Sequence, residues 1–230
     1  MGIIIQFDNV HFRPPKERVA PLAGVSLAVG EGELLAIHVR SSRKVVPLFD
    51  LAEGIASPSS GSIAFLGREW QHRSSTDALA ARSMIGRVFE GPAWLSNLTV
   101  KENITLRQRH HTSRTDGEIA EEARSLASAF GLKKLPHQHS HSLSQRTLQI
   151  SQWVRALAGR PSLVLLESPG EGVSSDDLEK LFHKVGDIVR SGGGVILTSR
   201  NRSTIDAGPE LPGYRMILSD DGSLKQMENN

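Results

Sequence analysis

The sequence predicts an α/β fold with a mainly parallel core sheet, an N-terminal β subdomain and an inserted helical lobe. Three observations lead there. Short apolar runs of strand length alternate with stretches of helical period, the pattern of a mainly parallel sheet covered by helices. The first third of the chain runs in strand-like pieces, and the middle third is helical in character.

Taken in order, residues 3–7, 25–29 and 34–39 read as strands. Gly30 and Gly32 turn the chain into the third, whose unbroken apolar run suits a buried strand. Residues 62–66 form a strand ending at Gly67, and 85–89 another. Residues 57–62 and 71–76 are polar connections. Thr115, Asp116, Gly117 and Glu118 open a helix whose apolar or small residues, Ile119, Ala123, Leu126, Ala127 and Phe130, keep a 3–4 spacing up to Gly131. Ser144 caps a helix running to about Ala158, with Leu148, Ile150, Trp153 and Leu157 as its apolar contacts. A short strand follows at 163–166, an amphipathic helix at 176–190 and a buried strand at 195–199. One domain over 1–230 is expected, with 1–90 and 159–230 as the α/β core and 91–158 as the lobe.

Composition narrows the function. Hydrophobic residues at 38% and charged residues at 23% exclude a disordered chain. A net charge of +2 gives no argument for nucleic acid, and none is expected as a partner. The absence of cysteine excludes disulfides, thiolate metal sites and a cysteine nucleophile. No apolar stretch approaches the ~18–20 residues that span a bilayer. The opening MGIIIQFDNV reads as a strand and not as a signal peptide. A cytoplasmic chain is expected, reaching the inner face of a membrane only through a partner.

Three landmarks then occur in order: GELLAI with LAEGIASPSSGSI, IGRVFE, and LSQRT with VRALAGRPSLVLLESPGEG. Together with the segment from Leu98 to Asn103 they resemble the nucleotide-binding subunit of ABC transporters. The resemblance covers roughly residues 3–205. It rests on Gly32, Gly54, Gly61, Gly67, Gly86, Asn103, Arg155, Pro161, Pro169 and Gly172, and it implies a P-loop NTPase-like core.

The residues that carry the family's chemistry are altered. A working phosphate loop reads G-x-x-x-x-G-K-[ST], with glycines admitting phosphate, lysine meeting its charge and a hydroxyl on Mg²⁺. In the register of the resemblance this loop is Val39, Arg40, Ser41, Ser42, Arg43, Lys44, Val45 and Val46. Val39 replaces the first glycine, Lys44 the second, Val45 the lysine and Val46 the metal-binding hydroxyl. Sliding by one residue restores Lys44 as the lysine but puts Arg43 at the close-approach glycine and Val45 at the hydroxyl.

Elsewhere, Glu90 stands for the glutamine after the V-F pair. Glu167 and Ser168 stand for the aspartate that holds metal and the glutamate that activates water. A serine hydroxyl is a poor general base near neutral pH. Arg200 stands for the histidine beside the γ-phosphate, and Pro14, or Phe12 in its place, for the aromatic that stacks on adenine. The signature L-S-G-G-Q becomes Leu143, Ser144, Gln145, Arg146 and Thr147. Gln145 and Arg146 replace glycines that admit a phosphate held by a second subunit, and Arg146 is expected to face Arg43 and Lys44 of that subunit.

Three further features have a plain reading beside a functional one. Arg40, Arg43 and Lys44 are either solvated loop charges or an anion site, the latter if a helix begins near Val46. His137, His139 and His141, with His110 and His111, read as solvated in the absence of acidic or cysteine companions. The basic stretch from Arg107 to Arg114 reads as an exposed loop, and Trp94 as either lobe core or permease contact.

The resulting expectation is a non-hydrolysing ABC-type subunit, structural or regulatory, in a membrane transport complex. Its partners would be a membrane permease subunit and a second ABC subunit. No catalytic residues, no metal site and no ATP or Mg²⁺ cofactor are expected. The alternatives are an ATPase that powers an ABC transporter, and an ABC-derived soluble module binding an anion or a protein.

Overall fold

The computed structural model describes residues 2–14, 18–40, 45–91, 93–208 and 213–227. In chain order the elements are β1 (Ile3–Phe12), β2 (Leu22–Gly30), β3 (Leu34–Val39), α1 (Leu48–Ala52), β4 (Ser60–Phe65), β5 (Arg68–Glu69), α2 (Ser75–Ser83) and β6 (Ile85–Val88). Next come α3 (Val100–His111), α4 (Asp116–Ala129), α5 (Gln145–Leu157), β7 (Leu163–Glu167), α6 (Ser175–Arg190), β8 (Gly194–Ser199), α7 (Arg202–Asp206), β9 (Gly213–Leu218) and β10 (Leu224–Gln226).

These strands form two sheets. An antiparallel sheet has the order β2-β1-β4-β5, and a six-stranded sheet the order β10-β9-β3-β8-β7-β6. In the larger sheet all pairings are parallel except β9 with β10. The predicted α/β class with a mainly parallel sheet and an N-terminal β layer is therefore observed.

Alternation along the central strands divides the core in two. Leu35, Ile37, Leu163, Leu165 and Ile196 pack toward the antiparallel sheet and α1. Leu34, Ala36, Val164, Leu166, Val195 and Leu197 pack toward the helices, in a cluster with Trp153, Phe130, Ile104 and Leu181. Trp153 and Phe130 meet edge to face at 5.5 Å, a favoured aromatic geometry.

Local signals start the lobe helices. Thr99 with Glu102 and Thr115 with Glu118 form full capping boxes on α3 and α4. Ser144 caps α5 by accepting from the Thr147 N–H. Gly86 marks the closest approach of β6 to α5: a Cβ there would lie 1.9 Å from the Ala156 carbonyl oxygen.

Three regions differ from the sequence expectation. Residues 100–111 form α3, so the basic stretch begins on its last two turns and not in a loop. Arg107 is drawn inside, donating to the carbonyls of Ile85 and Ala158. Residues 75–83, partly taken as a connection, form α2. The strands β9 and β10 extend the sheet beyond the region the sequence pattern reached.

Candidate functional site

The carboxyl ends of β3, β7 and β8 and the turn after β6 gather most of the positions singled out through the resemblance. At their centre is Arg87, an arginine in a four-residue buried strand. Its guanidinium donates to Asp50 and Glu53 at 2.7 Å each and to Glu167 at 3.0 Å. It also lies over the rings of Phe89 and Phe49. Side-chain exposure is 8% for Arg87, 11% for Glu53 and 10% for Glu167, whereas Asp50 is half exposed. Burial works to discharge Arg87, but Glu53 and Glu167 overcome it and hold its pKa above the ordinary range. Burial also raises Glu53 and Glu167 above the ordinary 4.5, and Arg87 only partly opposes this. One guanidinium shared among three carboxyl groups cannot offset the desolvation of two of them.

Glu167 ends β7, where it also lies 3.4 Å from the N–H of Glu90. Ser168 follows in the left-handed region, φ 46°, with its N–H on the Thr198 carbonyl at 2.9 Å. Arg200, just after β8, forms an ion pair with Glu90. Glu90, Ser168 and Arg200 line a common cavity of about 310 Å³ with Ser199, Asn201 and Thr204. Four residues expected to share a site, Glu90, Glu167, Ser168 and Arg200, are thus brought together.

The segment after β3 takes another course. Val39 is buried, and the Arg40 N–H donates to the Leu218 carbonyl at 3.0 Å. Ser41, Ser42, Arg43 and Lys44 lie outside the described residues. Val45, 54% exposed, bridges Val19 in strand fashion. Its N–H donates to Arg18 and its carbonyl accepts from Ala20, each at 2.9 Å. Val46 is buried, and α1 begins only at Leu48, after Pro47, and lasts five residues. A helix thus starts two residues after Val46, as the helix-end anion reading of Arg40, Arg43 and Lys44 requires, but it is only five residues long, and Arg43 and Lys44 lie outside the described residues. Phe12, at the end of β1, is half-buried against the core.

Against the segment that follows Ser168, Ser144 caps α5 and Gln145 and Arg146 begin it. The Arg146 guanidinium clasps Asp177 of α6 with two bonds of 2.6 Å. These bonds hold the Asp177 carboxyl below its ordinary range. Gln145 packs over Gly172, where a Cβ would come within 2.7 Å of its side chain. In the same loop the Gln149 amide donates to the Pro169 carbonyl at 3.1 Å.

A family model described as ABC transporter matches residues 22–170. The chain belongs to the ABC transporter family. Two solved structures share its fold. One, an ATP-binding subunit of an ABC transporter, is 17% identical over 97% of this chain and 90% of its own, with a TM-score of 0.80. The other, a bacterial ABC transporter cassette solved as a dimer, is 19% identical over 98% of this chain and all of its own, with a TM-score of 0.83.

In this ABC cassette the Arg146 side chain is committed to Asp177 of its own subunit. That changes one expectation, because its charge is met by Asp177 and does not stand bare toward a second subunit. Arg146→Gly, which places the family's residue there, should lower stability by about 1 kcal/mol, the modest worth of a bidentate pair with one exposed partner. Asp177 has a lowered pKa, so this contribution is present above its unfolded value and lost only as pH falls through the folded one. A deficit constant across the neutral range in urea melts would bear this out, and none at all would show the clasp to be idle.

Three residues of this site were not singled out from the sequence: Asp50, Glu53 and Arg87. The signal was there in part. An arginine between glycine and valine in a short apolar strand needs buried carboxylates somewhere.

Proposed function

We propose that this cassette is a non-hydrolysing structural or regulatory component of a membrane transport complex. The observation that carries the reading is the contact of Arg87 with Glu167. The acid at the end of this strand is the one a metal would need, and a guanidinium already satisfies it. Mg²⁺ at Glu167 would have to displace the Arg87 bond of 3.0 Å and lie beside a guanidinium that Asp50 and Glu53 also hold in place. The donor set does not fit the ATP and Mg²⁺ that the family's fold implies.

Two further features support the same reading. The Val45 N–H, at the phosphate-loop lysine position, is spent on Arg18 and not free for an anion. Ser168 offers a hydroxyl where water activation needs a base. The partner is a permease subunit, docked in a groove of about 560 Å³ between the core and the lobe of residues 91–158. Trp94, Leu95, Leu79, Arg82 and Arg155 line it. Trp94 lies 4.6 Å from the Arg155 guanidinium, so its face is held by packing as well as offered to a partner. No helix among the described residues is long and apolar enough to cross a membrane. Such a complex would place the cassette at the inner face of the membrane through that partner.

Calorimetric titration with Mg-ATP, of the chain alone and with its purified membrane partner, tests the reading. Binding should be weaker than millimolar, a free energy smaller than about 4 kcal/mol. Ser168→Glu alone should give no turnover, since the lysine, the metal hydroxyl and the signature glycines remain absent. Micromolar binding, or robust hydrolysis by either form, would sink it.

A further inference from the structure

A second cavity, of about 320 Å³, lies at the carboxyl end of β3 and β9, on the far side of β3 from Arg87. Its lining includes Arg40, Arg202 and Lys225, with Ser219 and Gln226 as neutral polar groups; Ile217 and Met227 supply apolar surface. None of its lining residues is a carboxylate. We propose that it binds a small phosphate-bearing anion, held by Arg40, Arg202 and Lys225.

The fold itself brings these cations together. Arg40 follows β3 and is pinned by its N–H to the carbonyl of Leu218, the last residue of β9. The hairpin to β10 sets Lys225 opposite Ile217, one residue from that end. Arg202 arrives from the segment after β8, the other neighbour of β3. In open α/β sheets, ligands sit outside the carboxyl ends of the strands. Three cations from three separate parts of the chain meet at such an edge.

Their charge is poorly met by the protein. Among the described residues neither Arg40 nor Lys225 has an ion-pair partner. Arg202 has Asp206 at 3.6 Å, one turn along its own helix. Arg87, Arg109, Arg114 and Arg146, by comparison, each hold a carboxylate within 3.0 Å. Asp206 and Asp221 answer part of the charge of Arg202 and Lys225 from outside the cavity, but three cations in a lining that holds no carboxylate raise the local concentration of anions, and guanidinium matches phosphate with paired donors. The volume lies at the small end of the roughly 300–1,000 Å³ of ligand sites, which suits a diphosphate group better than a whole nucleotide. This inference does not rest on the proposed function, because the cavity includes none of Glu167, Ser168 or Val45.

The test is titration calorimetry with inorganic pyrophosphate at low ionic strength, with metal-free ATP as a second arm. The wild type should bind pyrophosphate, with affinity falling steeply as salt is added. The double variant Arg202→Gln, Lys225→Gln changes only exposed side chains and should weaken binding at least tenfold. Arg40→Gln alone should weaken it several-fold. Much weaker ATP binding identifies a free polyphosphate, as the volume requires, and sustains the proposal; ATP binding as tight as that of pyrophosphate overturns the choice of a small anion. No heat at millimolar pyrophosphate overturns it. So does binding that Arg40→Gln weakens while the double variant leaves it intact, since the anion would then lie on the loop after β3.

Discussion

Arg87→Met should destabilise the protein by about 3–5 kcal/mol near neutral pH, the cost of removing one partner from a buried charge cluster. The substitution leaves Glu53 and Glu167 buried and ionised, with Asp50 close by. Loss of the arginine removes what opposes their burial, so both carboxyl groups rise further above the ordinary 4.5. A carboxyl group with a raised folded pKa contributes stability below its unfolded pKa and loses it as pH rises through the folded one. The deficit of the variant should therefore be full at neutral pH and shrink as the solution becomes mildly acidic. Arg87→Lys, which keeps a charge but not three fitted bonds, should fall between the two. Urea melts across that pH range read the result directly. A deficit below about 1 kcal/mol, or one independent of pH, would mean that the cluster is not what neutralises Glu167.

Gly86→Ala should cost about 3 kcal/mol, at the upper end of what forced overpacking does. The added methyl would sit 1.9 Å from a backbone carbonyl on α5, and backbone in a packed helix cannot step aside as a flexible side chain would. Either β6 leaves β7 or α5 lifts off the sheet. Both moves disturb the groove beside Trp94, so the variant should also weaken capture by a membrane partner. A variant as stable as the wild type would show that β6 and α5 are not held at this spacing.

Much of the fold was legible in the chain. The central strands β7 and β8 are fully buried runs and β3 is buried except at His38, and buried runs announce themselves by composition without any partner being known. The helices α4, α5 and α6 were readable from spacing, with Thr115, Ser144 and Gly131 marking ends of the first two. By contrast α3 was hidden, because its exposed face carries Arg109, His110 and His111 and looks like a solvated loop. Its buried side is polar as well: Arg107 enters the interior only because Ile85 and Ala158 present bare carbonyls there. The strand β9 could not be recognised without β3 beside it, since a short strand is stabilised by its neighbour and not by itself.

The candidate site divides in the same way. The resemblance was enough to select Glu90, Glu167, Ser168 and Arg200 as neighbours, and it is the source of the proposed reading of Val45, Gln145 and Arg146 as replacements. The identity of the groups that answer each charge was decided elsewhere. Arg146 finds Asp177 at a separation of 31 residues, and Arg87 finds Glu53 at 34 and Glu167 at 80. Local periodicity acts over a turn of helix or a pair of strand residues and so is written in the sequence. A buried ion pair is chosen by which side chains lose water together, and that depends on how the strands order themselves within the sheet.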